Sequence, residues 1–152
     1  MKVRADVACV NLTRRRIPVA LVQRVVARAV SLFERSGSVA VSVVFVGERR
    51  MRTINRTWRK RDCPTDVLSF GFLERTDMPF GAGLRDSKHL GEIVICPAYA
   101  AVHGLPGARG LATLAVHGVV HVYGIDHERS DAEHRKTIAI QKRILAKFFK
   151  DQ

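Results

Sequence analysis

Cysteine is scarce and poorly spaced: Cys9, Cys63 and Cys96 are the only three in 152 residues. An odd number, far apart and without a CxxC pair, suggests neither a disulfide framework nor a cysteine zinc site, so a reducing compartment is expected. Long apolar runs are also missing. The longest, Val39 to Val46, is far too short to cross a bilayer, and the start Met1-Lys2-Val3-Arg4-Ala5-Asp6 puts charges where a secretory signal needs its apolar stretch. A soluble, cytoplasmic protein with no membrane partner is expected. Acidic residues are the third shortage: 14 Asp plus Glu face 26 Lys plus Arg, a formal net charge of +12. That excess biases the chain toward polyanions or anionic surfaces. Hydrophobic residues nevertheless make up 47% of the composition and recur along the whole length, which excludes a disordered basic tail. The length fits one domain over residues 1–152.

Periodicity predicts the elements. Val3 to Val10 reads as a strand, and Pro18 opens an amphipathic helix through Leu21, Val22, Val25, Val26, Ala29, Leu32 and Phe33 that ends near Gly37. Val39 to Val46 is apolar on both alternating faces except at Ser42, as in a central strand covered on both sides. A basic helix follows from Glu48 to about Thr57. Val67 to Leu73 and Glu92 to Cys96 read as short strands on either side of a Gly-rich loop from about Glu74 to His89. Beyond Pro97 the pattern is helical up to Gly124, and Ser130 with Glu133 forms a capping-box signature for a last helix carrying Ile138, Ile144, Leu145 and Phe148. The expected fold is α+β, a small mixed sheet of about four strands packed with five or so helices, one of them a zincin-like metal helix.

The segment His117-Gly118-Val119-Val120-His121-Val122-Tyr123-Gly124-Ile125-Asp126-His127 bears the clearest chemical signal. Residues four apart share a helix face, so His117 and His121 can aim two imidazoles at one point. Gly124 can end that helix and let a turn return His127 as a third ligand. Three neutral nitrogens leave a fourth position for water or substrate, the pattern of a catalytic zinc. The bland alternative is a helix end whose histidines cap carbonyls or face solvent. His89, His103 and His134 stand in no such spacing and are expected on the surface or in loops. The spacing reproduces the HExxHxxGxxH framework of metzincin peptidases, except that Gly118 stands where the glutamate general base belongs. Met1, Met51 and Met78 all precede the triad, so the methionine turn of that framework is missing too. Ordinary peptide hydrolysis is disfavoured. A metal can still polarise a phosphoryl oxygen and acidify its water. Asp126 is either a hydrogen-bond partner for a ligand imidazole or a solvated turn residue, and Tyr123 is expected to pack against the helix.

A second constellation sets Arg49, Arg50, Arg52, Arg56, Arg59, Lys60 and Arg61 beside Trp58, offset only by Glu48 and Asp62. Cations interleaved with an aromatic can neutralise phosphates and stack a base, and arginine favours fork-like phosphate contacts. A solvated charged face is the alternative.

Four blocks now stand in order: Asn55-Arg56-Thr57-Trp58-Arg59, Pro64-Thr65-Asp66-Val67-Leu68-Ser69-Phe70, Leu90-Gly91-Glu92-Ile93-Val94-Ile95, and the histidine segment ending Gly124-Ile125-Asp126-His127. Together they resemble the YbeY family. The resemblance implies a single-strand-specific endoribonuclease acting in maturation of small-subunit (16S) ribosomal RNA, particularly its 3′ end, and in ribosome quality control. It implies one zinc ion per chain held by His117, His121 and His127, and Arg59 as the basic residue facing the metal cleft. It also implies contacts with a small-subunit ribosomal protein and the ribosome-associated GTPase Era. The chain departs from the family pattern at Trp58, at Gly71, in the segment Ala98 to Gly110 and in its basic last helix, none of which touches the triad. Thr65 and Asp66 are expected to be turn and strand-start residues.

The leading expectation is a zinc-dependent endoribonuclease in which the metal orients water or a phosphate oxygen and Arg59 offsets transition-state charge. An RNA-binding ribosome assembly factor, stabilised by a metal but doing little chemistry, is the alternative from another class. A metal-dependent peptidase or amide hydrolase stands third.

Overall fold

The computed structural model describes residues 2–71, 79–80, 88–125 and 129–149. Its centre is the valine-rich strand Ser38–Phe45 (β2), which lies parallel to Arg4–Asn11 (β1) on one side and to Lys88–Ile95 (β4) on the other. Val67–Gly71 (β3) pairs antiparallel with β4, from Val67 opposite Ile95 to Gly71 opposite Gly91. The mixed sheet has the order β1-β2-β4-β3. Parallel neighbours cannot be joined by a tight hairpin, so helices carry the crossovers. Val19–Val30 (α1) links β1 to β2, and Glu48–Arg59 (α2) follows β2. Pro97–Val102 (α3), Gly107–Val122 (α4) and Asp131–Phe148 (α5) come after β4. The α+β expectation of about four strands and about five helices therefore holds among the described residues.

Alternation along the strands divides the core. Val41, Val43 and Phe45 of β2, with Ile93 and Ile95 of β4, join the larger cluster that includes buried residues of α1, α4 and α5. The intervening Val44 and Val94 turn to the other face and meet Met51 and Ile54 of α2, with Val46, Phe70 and Cys96. This two-sided cover is why β2 alternates so little.

Several boundaries differ from the sequence expectation. Helix α1 stops at Val30, well short of Gly37, because the Ser31 hydroxyl bonds the Arg28 carbonyl (2.7 Å) and the chain tightens so that Leu32 and Phe33 donate to Ala29 and Val30. Leu32 and Phe33 still pack on the core, so the apolar spacing outlasts the helix. The helical stretch after Pro97 divides into α3 and α4 at Leu105-Pro106, since the residue before proline avoids the helical region. The capping box at α5 forms as expected, with Glu133 N–H donating to Ser130 Oγ at 3.1 Å. His89 departs from the surface expectation: it lies buried on β4, its Nε2 3.4 Å from Ser42 Oγ. The expected strand began only at Glu92, whereas β4 starts at Lys88 and takes His89 into the sheet. His134 is exposed, and exposed His103 stacks on Tyr99 with ring centroids 3.8 Å apart.

The three cysteines are unpaired with one another. Burial pushes the Cys9 thiol up to about 11.

Helix α2 closes on Lys60 at φ 62°, a left-handed conformation that costs a non-glycine residue about 1 kcal/mol. Lys60→Gly is expected to raise stability by about 0.5–1 kcal/mol, read from the midpoint of urea unfolding; a lowered midpoint contradicts this assignment.

Candidate metal centre and basic face

Helix α4 is apolar almost all round. From Gly110 to Val122 every residue is buried except Thr113, His117 and His121. These lie four apart and form one stripe, the sole part of this stretch that is not committed to packing. The stripe places the two imidazoles together: His117 Nε2 and His121 Nε2 are 3.0 Å apart, with ring centroids at 4.5 Å. Two nitrogens bonded to one tetrahedral zinc at about 2.0–2.1 Å stand roughly 3.3 Å apart, so the pair needs only a few tenths of an ångström to accept such an ion. The donor set, two neutral imidazoles converging through Nε2, suits zinc or another first-row metal.

The residues around the pair explain its position. Gly118 follows His117 and points at the sheet: a Cβ there would meet Ile93 Cγ2 at 2.6 Å. The glutamate of the peptidase framework therefore has neither room nor direction at this position. At its other end α4 stops in a Schellman turn, with Gly124 at φ 84°, its N–H on the His121 carbonyl (2.8 Å) and Ile125 N–H on the Val120 carbonyl (3.3 Å). The sequence assigned Gly124 this role. Asp126 and His127 lie outside the described residues. Among the described residues, no group of three or more His, Cys, Asp or Glu is placed to hold a metal.

Tyr123 packs as expected, stacking on Phe33 with centroids 4.4 Å apart, and its hydroxyl donates to Glu34 Oε1 at 3.1 Å. Burial, then the Glu34 carboxylate, pushes the phenol far up, so it stays protonated and is no general base. Glu34 also receives Lys88 Nζ at 3.1 Å, which ties the end of α1 to the start of β4 beside this turn.

The basic face is built on α2. Met51, Ile54, Asn55 and Trp58 recur at helical spacing and turn inward. Trp58 is half-buried, edge-on to Phe70 with ring centroids 5.7 Å apart. Its apolar role in the smaller core was hidden by its arginine neighbours in the sequence. The cations point outward: Arg49, Arg50, Arg52, Arg56, Arg59, Lys60 and Arg61 are all exposed. Asp62 organises part of the set, accepting a two-pronged contact from Arg52 (2.9 and 3.0 Å) and a looser one from Arg56 at 3.5 Å. The Arg52 hydrogen bond holds its carboxyl below the usual carboxylate range. Lys60 Nζ bonds the Thr57 carbonyl at 3.2 Å.

Arg59 behaves differently. Its guanidinium leaves the α2 surface for the sheet edge, donating from Nη2 to the Ser69 carbonyl at 2.6 Å and lying 4.9 Å from the Phe70 ring centroid. Ser69 is two residues from Gly71, and a Cβ on Gly71 would sit 3.3 Å from the Val122 carbonyl at the end of α4. Strand β3 thus joins the two constellations, touching the turn of α4 that follows His121 on one side and holding Arg59 on the other. Asp66 is a strand-start residue as expected, its Oδ1 accepting from Val67 N–H at 2.8 Å.

Two site features lay beyond the sequence reasoning. Gln141 of α5 places Nε2 2.8 Å from His117 Nδ1. Glu92 is wholly buried in β4, with Oε1 accepting from Phe80 N–H at 3.1 Å. Its position inside the Leu90-to-Ile95 block, a lone acid in an apolar strand, was the signal available.

The close approach of α4 to β4 yields a stability test. Gly118→Ala inserts a methyl against the fully buried Ile93, an overpacking cost of about 1–3 kcal/mol that exceeds the roughly 1 kcal/mol gained in helix propensity. A net loss of up to about 2 kcal/mol in urea unfolding is expected, and a raised midpoint contradicts the packing described.

The family model described as "Endoribonuclease YbeY" matches residues 11–149. A protein named endoribonuclease YbeY from Geobacillus kaustophilus is 39% identical over 132 residues, covering 84% of each chain. One of the same name from Roseiflexus castenholzii is 36% identical over 129 residues, covering 82% of this chain and 80% of its own. The solution structure of TM1509 from Thermotoga maritima superposes with a TM-score of 0.55 at 23% identity, over 92% of this chain and 87% of that one, and shares the fold.

Proposed function

The chain belongs to the YbeY endoribonuclease family, and from that premise we propose that it is a zinc-dependent, single-strand-specific endoribonuclease. The substrate in this reading is small-subunit ribosomal RNA, cut during 3′-end maturation and ribosome quality control in the cytoplasm. A small-subunit ribosomal protein and the GTPase Era are its partners there. The observation that carries the reading is the meeting of His117 and His121, Nε2 to Nε2 at 3.0 Å, on the polar stripe of a helix that abuts the strand holding Arg59. His127 completes the ligand set in this proposal. No described helix is long and apolar enough to cross a membrane.

When bound, zinc supplies a Lewis acid for a phosphoryl oxygen and lowers the pKa of a coordinated water. The chain's own residues do the rest. The exposed cations of α2 draw the phosphodiester backbone toward β3 by long-range attraction. Arg59, held in place by the Ser69 carbonyl, offers its remaining N–H groups to the scissile phosphate and offsets the charge that grows there. The packing of Gly118 on Ile93 bars a carboxylate base from the position after the first histidine, which counts against the peptidase reading.

Metal analysis and cleavage of a defined single-stranded RNA test the proposal together. His121→Ala is expected to lose zinc and cleavage. Arg59→Ala should retain zinc and cut roughly 100-fold more slowly, the scale of removing one transition-state donor. Full cleavage by a zinc-free His121→Ala protein contradicts the proposal. Zinc uptake with tight RNA binding but no turnover favours the assembly-factor alternative.

The basic face has its own signature. Arg49 and Arg50 lie outside the Asp62 contacts, and for single strands each phosphate contact adds about 0.7 to the slope of log K against log salt. Replacing both with Ala is expected to flatten that slope by about 1.4. An unchanged slope removes them from the RNA path.

A further inference from the structure

Gln141 is a polar residue in an apolar position. On α5 it lies one turn from Thr137 and one turn from Ile144 and Leu145, all three buried against the core. Packing alone would place a leucine or isoleucine there. Its carboxamide instead reaches across to α4, with Nε2 2.8 Å from His117 Nδ1. That contact joins a helix bearing no proposed ligand to the first histidine of the pair.

The two imidazole nitrogens have linked duties. A metal can take His117 Nε2 only as a lone pair, and a neutral imidazole then carries its proton on Nδ1. The Nδ1–H needs an acceptor, and Gln141 lies at hydrogen-bond distance. A primary amide carries a carbonyl oxygen and an NH2 at nearly equivalent positions and exchanges them by a half-turn, so the same side chain serves Nδ1 as donor or as acceptor. With its nitrogen toward Nδ1, the amide sets the proton on His117 Nε2, where it can be donated to His121 Nε2 across 3.0 Å. With its oxygen toward Nδ1, it leaves the His117 Nε2 lone pair free for a cation.

We infer that Gln141 is a positioning residue for the metal centre: by accepting from His117 Nδ1–H it fixes the tautomer and ring orientation in which His117 binds zinc. The inference rests on the metal reading proposed above. Partners of this kind typically change metal affinity by roughly 10–100-fold.

Zinc binding to the full-length protein, measured by competition with a chromophoric chelator and paired with thermal melting, tests it without reference to nuclease activity. Gln141→Met keeps the length and the packing but cannot accept from Nδ1–H, and is expected to melt at or above the wild-type temperature while binding zinc roughly 10–100-fold more weakly. Gln141→Glu keeps the acceptor and is expected to bind zinc at least as tightly as wild type. A methionine variant with wild-type affinity overturns the role of Gln141. Should methionine disturb the helix pair, the glutamate variant decides: weaker zinc binding from a protein that melts normally overturns the role as well. A wild-type protein that takes up no zinc, with His121→Ala as reference, overturns the metal reading itself and the inference with it.

Discussion

The site depends on how hard α4 is pressed against the sheet. Gly118 lets the helix come so close to β4 that a methyl group would collide with Ile93, and the residues on either side of that contact are buried in turn. Burying almost the whole circumference leaves one stripe, and the stripe holds His117 and His121. Packing and chemistry are therefore not separate demands on this helix. The glycine that removes a peptidase's general base is also the residue that fixes the imidazoles in depth and direction. The Schellman turn at Gly124 then ends the helix directly beyond the pair, so the chain leaves α4 beside the site.

Charge follows the same economy of position. Seven of the 26 basic residues fall between Arg49 and Arg61, and α2 sorts them by face, with Met51, Ile54 and Trp58 inward and the cations outward. Asp62 gathers Arg52 and Arg56 beside the helix end, while Arg59 is drawn away to the edge strand by the Ser69 carbonyl and the face of Phe70. One arginine of the set is thus held by the sheet. The excess charge read from composition becomes a directed feature, running from α2 to β3 and ending beside the last turn of α4.

Much of this was legible in the sequence because it rests on local rules. The His117-His121 spacing, the reversal at Gly124, the capping box at Ser130 and the doubly covered strand at Val39–Val46 each follow from residues within a few positions of one another. What escaped depends on register between elements distant in the chain. Gln141 stands on its own helix as a polar residue among buried neighbours, and its partner is set only by the way α5 lies along α4. His89 was expected outside and is inside, because β4 begins at Lys88 and sets it opposite Ala40 of β2, within reach of the Ser42 hydroxyl. Trp58 was read with the arginines that flank it, whereas helical spacing groups it with Met51, Ile54 and Asn55. Helix α1 ends early because Ser31 closes it locally, while the apolar pattern that continues through Phe33 belongs to a packed turn.

In the function proposed above, His117, His121 and His127 bind one zinc ion and leave a position for water or phosphate. X-ray absorption at the zinc edge on the metal-loaded protein tests it most directly. Three imidazole nitrogens and one oxygen at about 2.0–2.1 Å are expected. A shell containing sulfur at about 2.3 Å, or fewer than two imidazoles, would contradict it.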